Sequence, residues 1–443
     1  MYDWLFSLVR DPSGRRFGEP KTAAEQRAHF EAQIQRTADF LAFAGHPERG
    51  IPAVHVAGTS GKGSVTVMTA ALLQSLGGTV CHHTSPYLQS YLEKLNTNGR
   101  WLAQEQFDVL VGRLQAVHGR WEAATGQRLR YTEAWVGLTM LWLAEEKPAW
   151  AVIETSLGGR FDPTNILPAE LAIITNVDWD HEQVLGPTLA DIAWHKAGII
   201  KPNQPVVTAA TQPEVLAVIR QEAAEKNAPF YALGDQWHYH ITPAEMLTVE
   251  APFNRYVNIN VAGMGYQAHN AAVALAAVDV LGYSHGWRIS AAQAERVLTA
   301  VRFAGRLETV QENPLVILDG AHNPHKMATL VASLQAKYPQ QKATAVVGSI
   351  AGKNAEAMLS ALAPLVGRWV FTQPRVPGKP AIPPAELAGL VGETAVPVQT
   401  AATVQEALSA AFANPSDYIL ITGSLYLVGE ARGYWYPLDR DGS

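Results

Sequence analysis

Residues Val56–Val65 read VAGTSGKGSV, and no other stretch limits the fold more tightly. An apolar run, Ala53–Ala57, leads into it, and a helical pattern from about Val65 to Leu76 follows. A strand that breaks at glycines and turns straight into a helix aims free backbone N–H groups and the positive end of the helix dipole at one point. That arrangement suits a phosphate. The usual loop of this kind runs G-x-x-x-x-G-K-[S/T], with the hydroxyl directly after the lysine. Here Gly63 separates Lys62 from Ser64. Gly58, Gly61 and Gly63 allow close backbone approach, Lys62 brings a positive charge, and Ser64 offers a hydroxyl to a metal ion. A plain glycine turn is the competing reading, and the strand and helix flanks argue against it.

The same strand-then-helix rhythm runs on through the chain. A helical stretch, Thr132–Glu146, precedes the strand Ala149–Glu154. The strand Leu171–Asn176 is followed by a helix near Thr188–Ala197, and Pro205–Ala210 is a further strand. A second series begins after Arg302, with strands at Leu315–Asp319, Ala343–Gly348, Arg368–Gln373 and Tyr418–Gly423. Such alternation predicts an α/β fold with mostly parallel sheets covered by helices. A chain of 443 residues exceeds one ordinary core. The expected division is residues 1–298 and 299–443, with the break in the 297–304 region.

Composition excludes several classes. Apolar residues make up 48% and charged residues 17%, which suits a buried core and not a disordered chain. The net charge is -6 and no Lys/Arg run stands out, so nucleic acid is not an expected partner. Cys81 is the single cysteine, which rules out a disulfide framework and a Cys-rich zinc site. The N-terminal stretch lacks the basic-then-apolar pattern of a signal peptide. The longest apolar helix pattern, Ala271–Leu281, is short and contains Asp279, so no membrane span is expected. A soluble, cytoplasmic protein follows as the expectation.

Three more features fall at predicted strand ends, where open parallel sheets place their ligands. Ser85 lies in HHTSPYLQSYLEKL, Glu154 opens ETSLGGRFDPTN, and Asp178, Asp180 and His181 lie in TNVDWDHEQVLG. Singly they read as a turn hydroxyl, a surface cap and a hydrogen-bonded turn. Together beside a phosphate loop, Glu154 and His181 on neighbouring strand ends suit a hard cation shared with phosphate oxygens.

These motifs, in this order, resemble those of the folylpolyglutamate synthase and dihydrofolate synthase family of the Mur ligase superfamily. HVAGTSGKGSV is similar to its HVAGTNGKGSV, and IETSLGGRFDPTN to its LEVGLGGRLDATN. ITNVDWDHEQVLGPTLADIAWHKAGIIK, GYQAHNAAVALAA, FAGRLE and LDGAHNPH also have counterparts, so the likeness runs from about residue 54 to 430. The resemblance implies an N-terminal P-loop ATPase domain and a C-terminal Rossmann-like domain. It also implies ATP-dependent joining of L-glutamate to a folate or pteroate carboxylate through an acyl phosphate, with Mg²⁺, by a monomer. By the same resemblance Gly58, Thr59, Ser60, Gly61, Lys62, Gly63 and Ser64 hold ATP with Asn270, Arg306 and Asp319. Ser64, Ser85, Glu154 and His181 resemble magnesium ligands, and Lys196 a lysine that is carbamylated. Asp162, Asp319 and His322 resemble residues tied to catalysis or to the incoming amino acid. Departures from the family pattern are Ser60 for Asn, Tyr87 for His, Thr155-Ser156 for Val-Gly, Trp179 for a small or apolar residue, and His195 for Glu. The alternatives are a Mur-type ligase for other substrates, or an inactive nucleotide-binding module.

Overall fold

Runs of Val, Ile, Leu and Ala build three sheets in the computed structural model, which describes residues 2–9, 23–263, 265–376, 380–392 and 395–438. The first sixty residues read in the sequence as a helical lead-in to the Ala53–Ala57 strand, and part of that stretch lies outside the described residues.

The first sheet runs, edge to edge, Arg100–Trp101, Leu95–Thr97, Val80–His83, Trp150–Glu154, Ala53–Ala57, Leu171–Ile174, Val206–Thr208 and Phe230–Ala232. The last six strands in this order are parallel to one another, and the first two are antiparallel additions. Helices cover both faces, so its central strands are buried throughout and read as unbroken apolar runs. On one face, Val54, Val56 and Ile173 pack with Met68 and Leu72 of the Lys62–Gln74 helix and Val273 of the Tyr266–His285 helix. On the other, Ala53, Cys81 and Ile153 pack with Trp135 and Leu138. Each Val, Leu or Ile so buried stabilises the fold by about 1.5–3 kcal/mol relative to exposure.

Register decides what reaches the sheet edge. Val56 lies opposite Glu154, and Ala57 opposite Ile174. The glycine loop, Glu154 and the segment after Ile174 therefore leave the sheet together. One expectation needs correcting. The strands before Glu154 and His181 are not neighbours, because the Ala53–Ala57 strand lies between them. Strand order in a parallel sheet is set by crossovers, and local sequence does not encode it.

The third sheet runs Glu308–Glu312, Leu315–Leu318, Tyr418–Thr422, Ala343–Val347, Val366–Phe371 and Val398–Thr400. Only the first of these pairs antiparallel. A small antiparallel sheet of His238–Ile241, Leu247–Glu250 and Arg255–Ile259 was not expected. Its first strand, HYHI, is mostly exposed and carries no apolar run. The helix after the loop starts at Lys62, three residues earlier than its apolar pattern suggests. Among the described residues no helix is long and apolar enough to cross a membrane.

Candidate functional site

The loop turns into its helix at Gly61, whose φ of 79° is left-handed and whose position offers no side-chain cap. The amides of the first helical turn have no intrahelical acceptor and remain available to an anion. A Cβ on Gly61 would stand 2.3 Å from Asn270 Oδ1, and one on Gly63 would stand 2.6 Å from an Arg306 guanidinium nitrogen. The glycine that separates Lys62 from Ser64 thus makes room for Arg306, which reaches in from the segment before the third sheet. Arg306 Nη1 donates to Ser64 Oγ at 3.2 Å. Lys62 Nζ donates to the Gly58 carbonyl at 3.0 Å. Thr59 Oγ1 bridges the backbone carbonyl and N–H of Asp178 at 3.1 and 3.0 Å. The Ser60 N–H donates to Asn176 Oδ1 at 2.8 Å, whereas Ser60 Oγ is buried with no protein partner. Asn270 Nδ2 donates to Gln267 Oε1 at 2.9 Å.

Glu154 is 3% exposed, and its Oε2 accepts the Ser85 N–H at 3.0 Å. Burial raises its pKa, while Lys62 and Arg306 oppose the rise. His181 is left-handed at φ 49°, half-exposed, and 3.6 Å from Asp180. Lys196 is 1% exposed. Burial first, and the Lys62 charge second, push its pKa down to about 7. Asp162 is a loop staple. Its Oδ2 accepts the N–H groups of Ser156 and Leu157, and its Oδ1 accepts both the N–H and the hydroxyl of Thr164. It sits among its own loop's donors, and the buried Lys94 feels its charge together with that of Glu154. Among the described residues no group of three or more His, Cys, Asp or Glu is placed to hold a metal. The donors present are one carboxylate, an imidazole and hydroxyls. They fit a hard cation that takes its other oxygens from phosphate and water, as Mg²⁺ does.

The third sheet supplies the opposite wall. Asp319 Oδ2 accepts the Tyr266 hydroxyl at 2.7 Å and the Leu307 N–H at 2.9 Å, and Oδ1 accepts the Ala321 N–H. Those bonds tie the Arg306 segment to the Tyr266–His285 helix of the first sheet. His322 Nδ1 donates to the Gly320 carbonyl at 2.7 Å, and its Nε2 faces Lys326 Nζ at 3.2 Å. Burial, then Lys326, hold the His322 pKa down at about 3. His325 pairs with Asp178 at 2.9 Å. Tyr266, His325 and Lys326 were not singled out in the sequence. The available signals were that Tyr266 and His325 lie inside the GYQAHN and LDGAHNPH motifs and that Lys326 follows the second directly.

The departures also find places. Thr155 Oγ1 is buried without a partner. Trp179 is 49% exposed. His195 packs edge-on against Phe30, Phe161 and Trp194 at centroid distances of 6.2, 5.7 and 5.1 Å. An aromatic cluster therefore occupies the place where the family pattern has a glutamate.

Two family models match the chain. The Mur ligase middle domain matches residues 56–278, and the Mur ligase glutamate ligase domain matches residues 305–425. The dihydrofolate synthase/folylpolyglutamate synthase of Bacillus subtilis is 36% identical over 74% of this chain and 78% of its own length. The folylpolyglutamate synthase of Lacticaseibacillus casei is 30% identical over 88% of this chain and 91% of its own. The structure of Mycobacterium tuberculosis folylpolyglutamate synthase complexed with ADP and AMPPCP superposes with a TM-score of 0.83 at 28% identity, covering 91% of this chain and 95% of that one. The chain belongs to the folylpolyglutamate synthase/dihydrofolate synthase family of Mur ligases.

Proposed function

We infer that this chain is an ATP-dependent ligase that joins L-glutamate to a folate or pteroate carboxylate, giving ADP and phosphate. The observation that carries this reading is Arg306 lying on Gly63 and Ser64 of the phosphate loop, across the cleft from the buried Glu154. A phosphate site enclosed from a second sheet is a place for transfer in a protected cleft.

A carboxylate is a poor acyl donor. The γ-phosphoryl group of ATP passes to it, ADP leaves, and the acceptor holds an acyl phosphate. The glutamate nitrogen attacks the acyl carbon, the bond from that carbon to the phosphate oxygen breaks with its electron pair on phosphate, and the nitrogen loses a proton. Lys62 and Arg306 offset the charge of bringing one anion to another. Asn270 and Asp319 complete the nucleotide site, Asp319 by fixing the Arg306 segment. His322 faces the incoming amino acid, and Asp162 shapes the acceptor loop. Ser64, Ser85, Glu154, His181 and Lys196 are the residues that would hold Mg²⁺, which when bound neutralises phosphate charge.

Lys196 enters that set only as a carbamate, because an ammonium does not ligate a cation. Its burial supports this by making the neutral amine, the form that reacts with carbon dioxide, accessible. Activity should fall in bicarbonate-free buffer and return on re-addition; an unchanged rate would contradict the carbamate.

Residues 1–298 are read as the ATP-binding domain and 299–443 as the Rossmann-like ligase domain; the sheet changes just after the Ala291–Ala300 helix, within which that boundary falls. The reading takes the protein as a cytoplasmic monomer with small-molecule substrates. The test of the activity is product mass. It should rise by one glutamyl unit per turnover while ATP becomes ADP, and release of AMP and pyrophosphate would contradict it.

A further inference from the structure

Lys326 lies in the first turn of the Pro324–Lys337 helix, well away in sequence from the loop it faces. Its ammonium has three N–H donors. One points to His322 Nε2 at 3.2 Å. The role of that nitrogen is settled by its partner ring atom. The Gly320 carbonyl can only accept, so Nδ1 carries the hydrogen, and in the neutral ring Nε2 is an acceptor. Among the described residues Lys326 Nζ makes no salt bridge and no hydrogen bond to a carbonyl or carboxylate. After burial, the charges it feels most are Lys62, which disfavours the ammonium, and Asp180, which favours it, followed by Arg306 and Lys353. A part-buried ammonium with donors unfilled by protein carbonyls or carboxylates, beside three other cations, is placed to receive an oxyanion.

Which oxyanion follows from position. The phosphates already have the loop amides and Lys62 on the first-sheet side, and Arg306, which reaches Ser64 from the third-sheet side. Lys326 rises from the third-sheet side beside His322, the residue read above as facing the incoming amino acid. We propose that Lys326 binds a carboxylate of the incoming amino acid and selects it over the corresponding amide. This rests on the ligase reading above. Burial and the neighbouring cations push the Lys326 pKa down to about 8, and a bound carboxylate would stabilise the charged form.

The experiment compares the unsubstituted enzyme with Lys326→Met and Lys326→Arg. Rates are measured with glutamate, glutamine and glutamate α-amide, and acyl phosphate is trapped with hydroxylamine in the absence of amino acid. In Lys326→Met the KM for glutamate should rise roughly ten- to hundredfold, the loss of one charge-assisted hydrogen-bonded contact. The KM for ATP and hydroxamate formation should stay unchanged. Discrimination against one of the two amides should collapse, which identifies the carboxylate, and Lys326→Arg should retain part of it. Hydroxamate formation that falls along with ligation would overturn the proposal by making Lys326 a phosphate ligand. So would an unchanged glutamate KM in an active Lys326→Met. If Lys326→Met fails to fold, Lys326→Arg decides: a glutamate KM equal to that of the unsubstituted enzyme together with slowed trapping overturns the assignment, and a raised KM with normal trapping supports it. Failure of the unsubstituted chain to ligate glutamate would count against the ligase reading itself.

Discussion

The first and third sheets bring different equipment to one cleft. At the edge of the first stand a continuous glycine loop, the buried carboxylate Glu154 and the buried Lys196. At the edge of the third stand Arg306, Lys326 and Lys353, with an Asp319 whose oxygens are already occupied by Tyr266, Leu307 and Ala321. On the proposed reading the first sheet supplies groups for a nucleotide and a cation, and the third supplies further positive charge facing the same cleft. Neither half is a complete site. At the phosphate loop their contact turns on one absent side chain, because a Cβ on Gly63 would meet the Arg306 guanidinium.

Substitutions should separate the two halves. The largest effect is expected at Lys62. Lys62→Ala removes the ammonium that meets phosphate charge during transfer, and turnover should fall about a hundredfold or more with the fold intact. Steady-state rates and circular dichroism check this, and a near-normal rate would place the phosphate chemistry elsewhere. Glu154→Ala and His181→Ala should each raise the Mg²⁺ concentration for half-maximal rate by at least about tenfold. Titration with Mg²⁺ is the measurement, and an unchanged midpoint in both variants would remove them from the metal site. Gly63→Ala probes the junction. The flexible Arg306 side chain must shift, so turnover should drop about fivefold while ATP binding, read by calorimetry, is kept. Equal loss of binding and turnover would show that the glycine serves the loop alone.

Acid should distinguish the sheets by stability. His55, His82 and His83 are buried in strands of the first sheet, whereas the third sheet's strands contain no histidine and the lowered His322 lies in the loop after one of them. Burial lowers their pKa values, to about 3 for His55 and about 4 for His82, and His83 is lowered as well. Their folded values lie below the unfolded value, so the unfolded chain binds more protons below about pH 6.5. Stability contributed by the neutral rings is complete above that pH. It falls as pH drops, by about 1.4 kcal/mol per unit for each ring, until the folded pKa is reached. Hydrogen exchange between pH 7 and 5 should weaken protection in the first sheet before the third, and uniform loss would contradict this.

The contrast between the sheets also explains what could be read from the sequence. The loop was legible because Gly58, Gly61, Lys62 and Ser64 lie in one short stretch whose flanks are a buried strand and a helix. Glu154 was legible because the apolar run before it is a strand, and a strand's end points to a sheet edge. The neighbour relation of Glu154 and His181 was misread, since strand order depends on crossovers. Tyr266 and Lys326 gave no signal of their own. The phenol finds Asp319 across two sheets, and the lysine gains meaning only from Lys62 and Arg306 far away in the chain. Gly63 was visible as an irregularity, but its reason, Arg306, is tertiary.

The central claim is that the first-sheet edge makes an acyl phosphate which an amine then breaks within the same cleft. The most direct measurement labels the acceptor carboxylate with ¹⁸O and follows the label through one turnover with ATP and glutamate by mass spectrometry. Bond-making at that carboxylate oxygen predicts one ¹⁸O in the released inorganic phosphate and one in the product amide carbonyl. Phosphate free of ¹⁸O, or label recovered in AMP, would contradict the account.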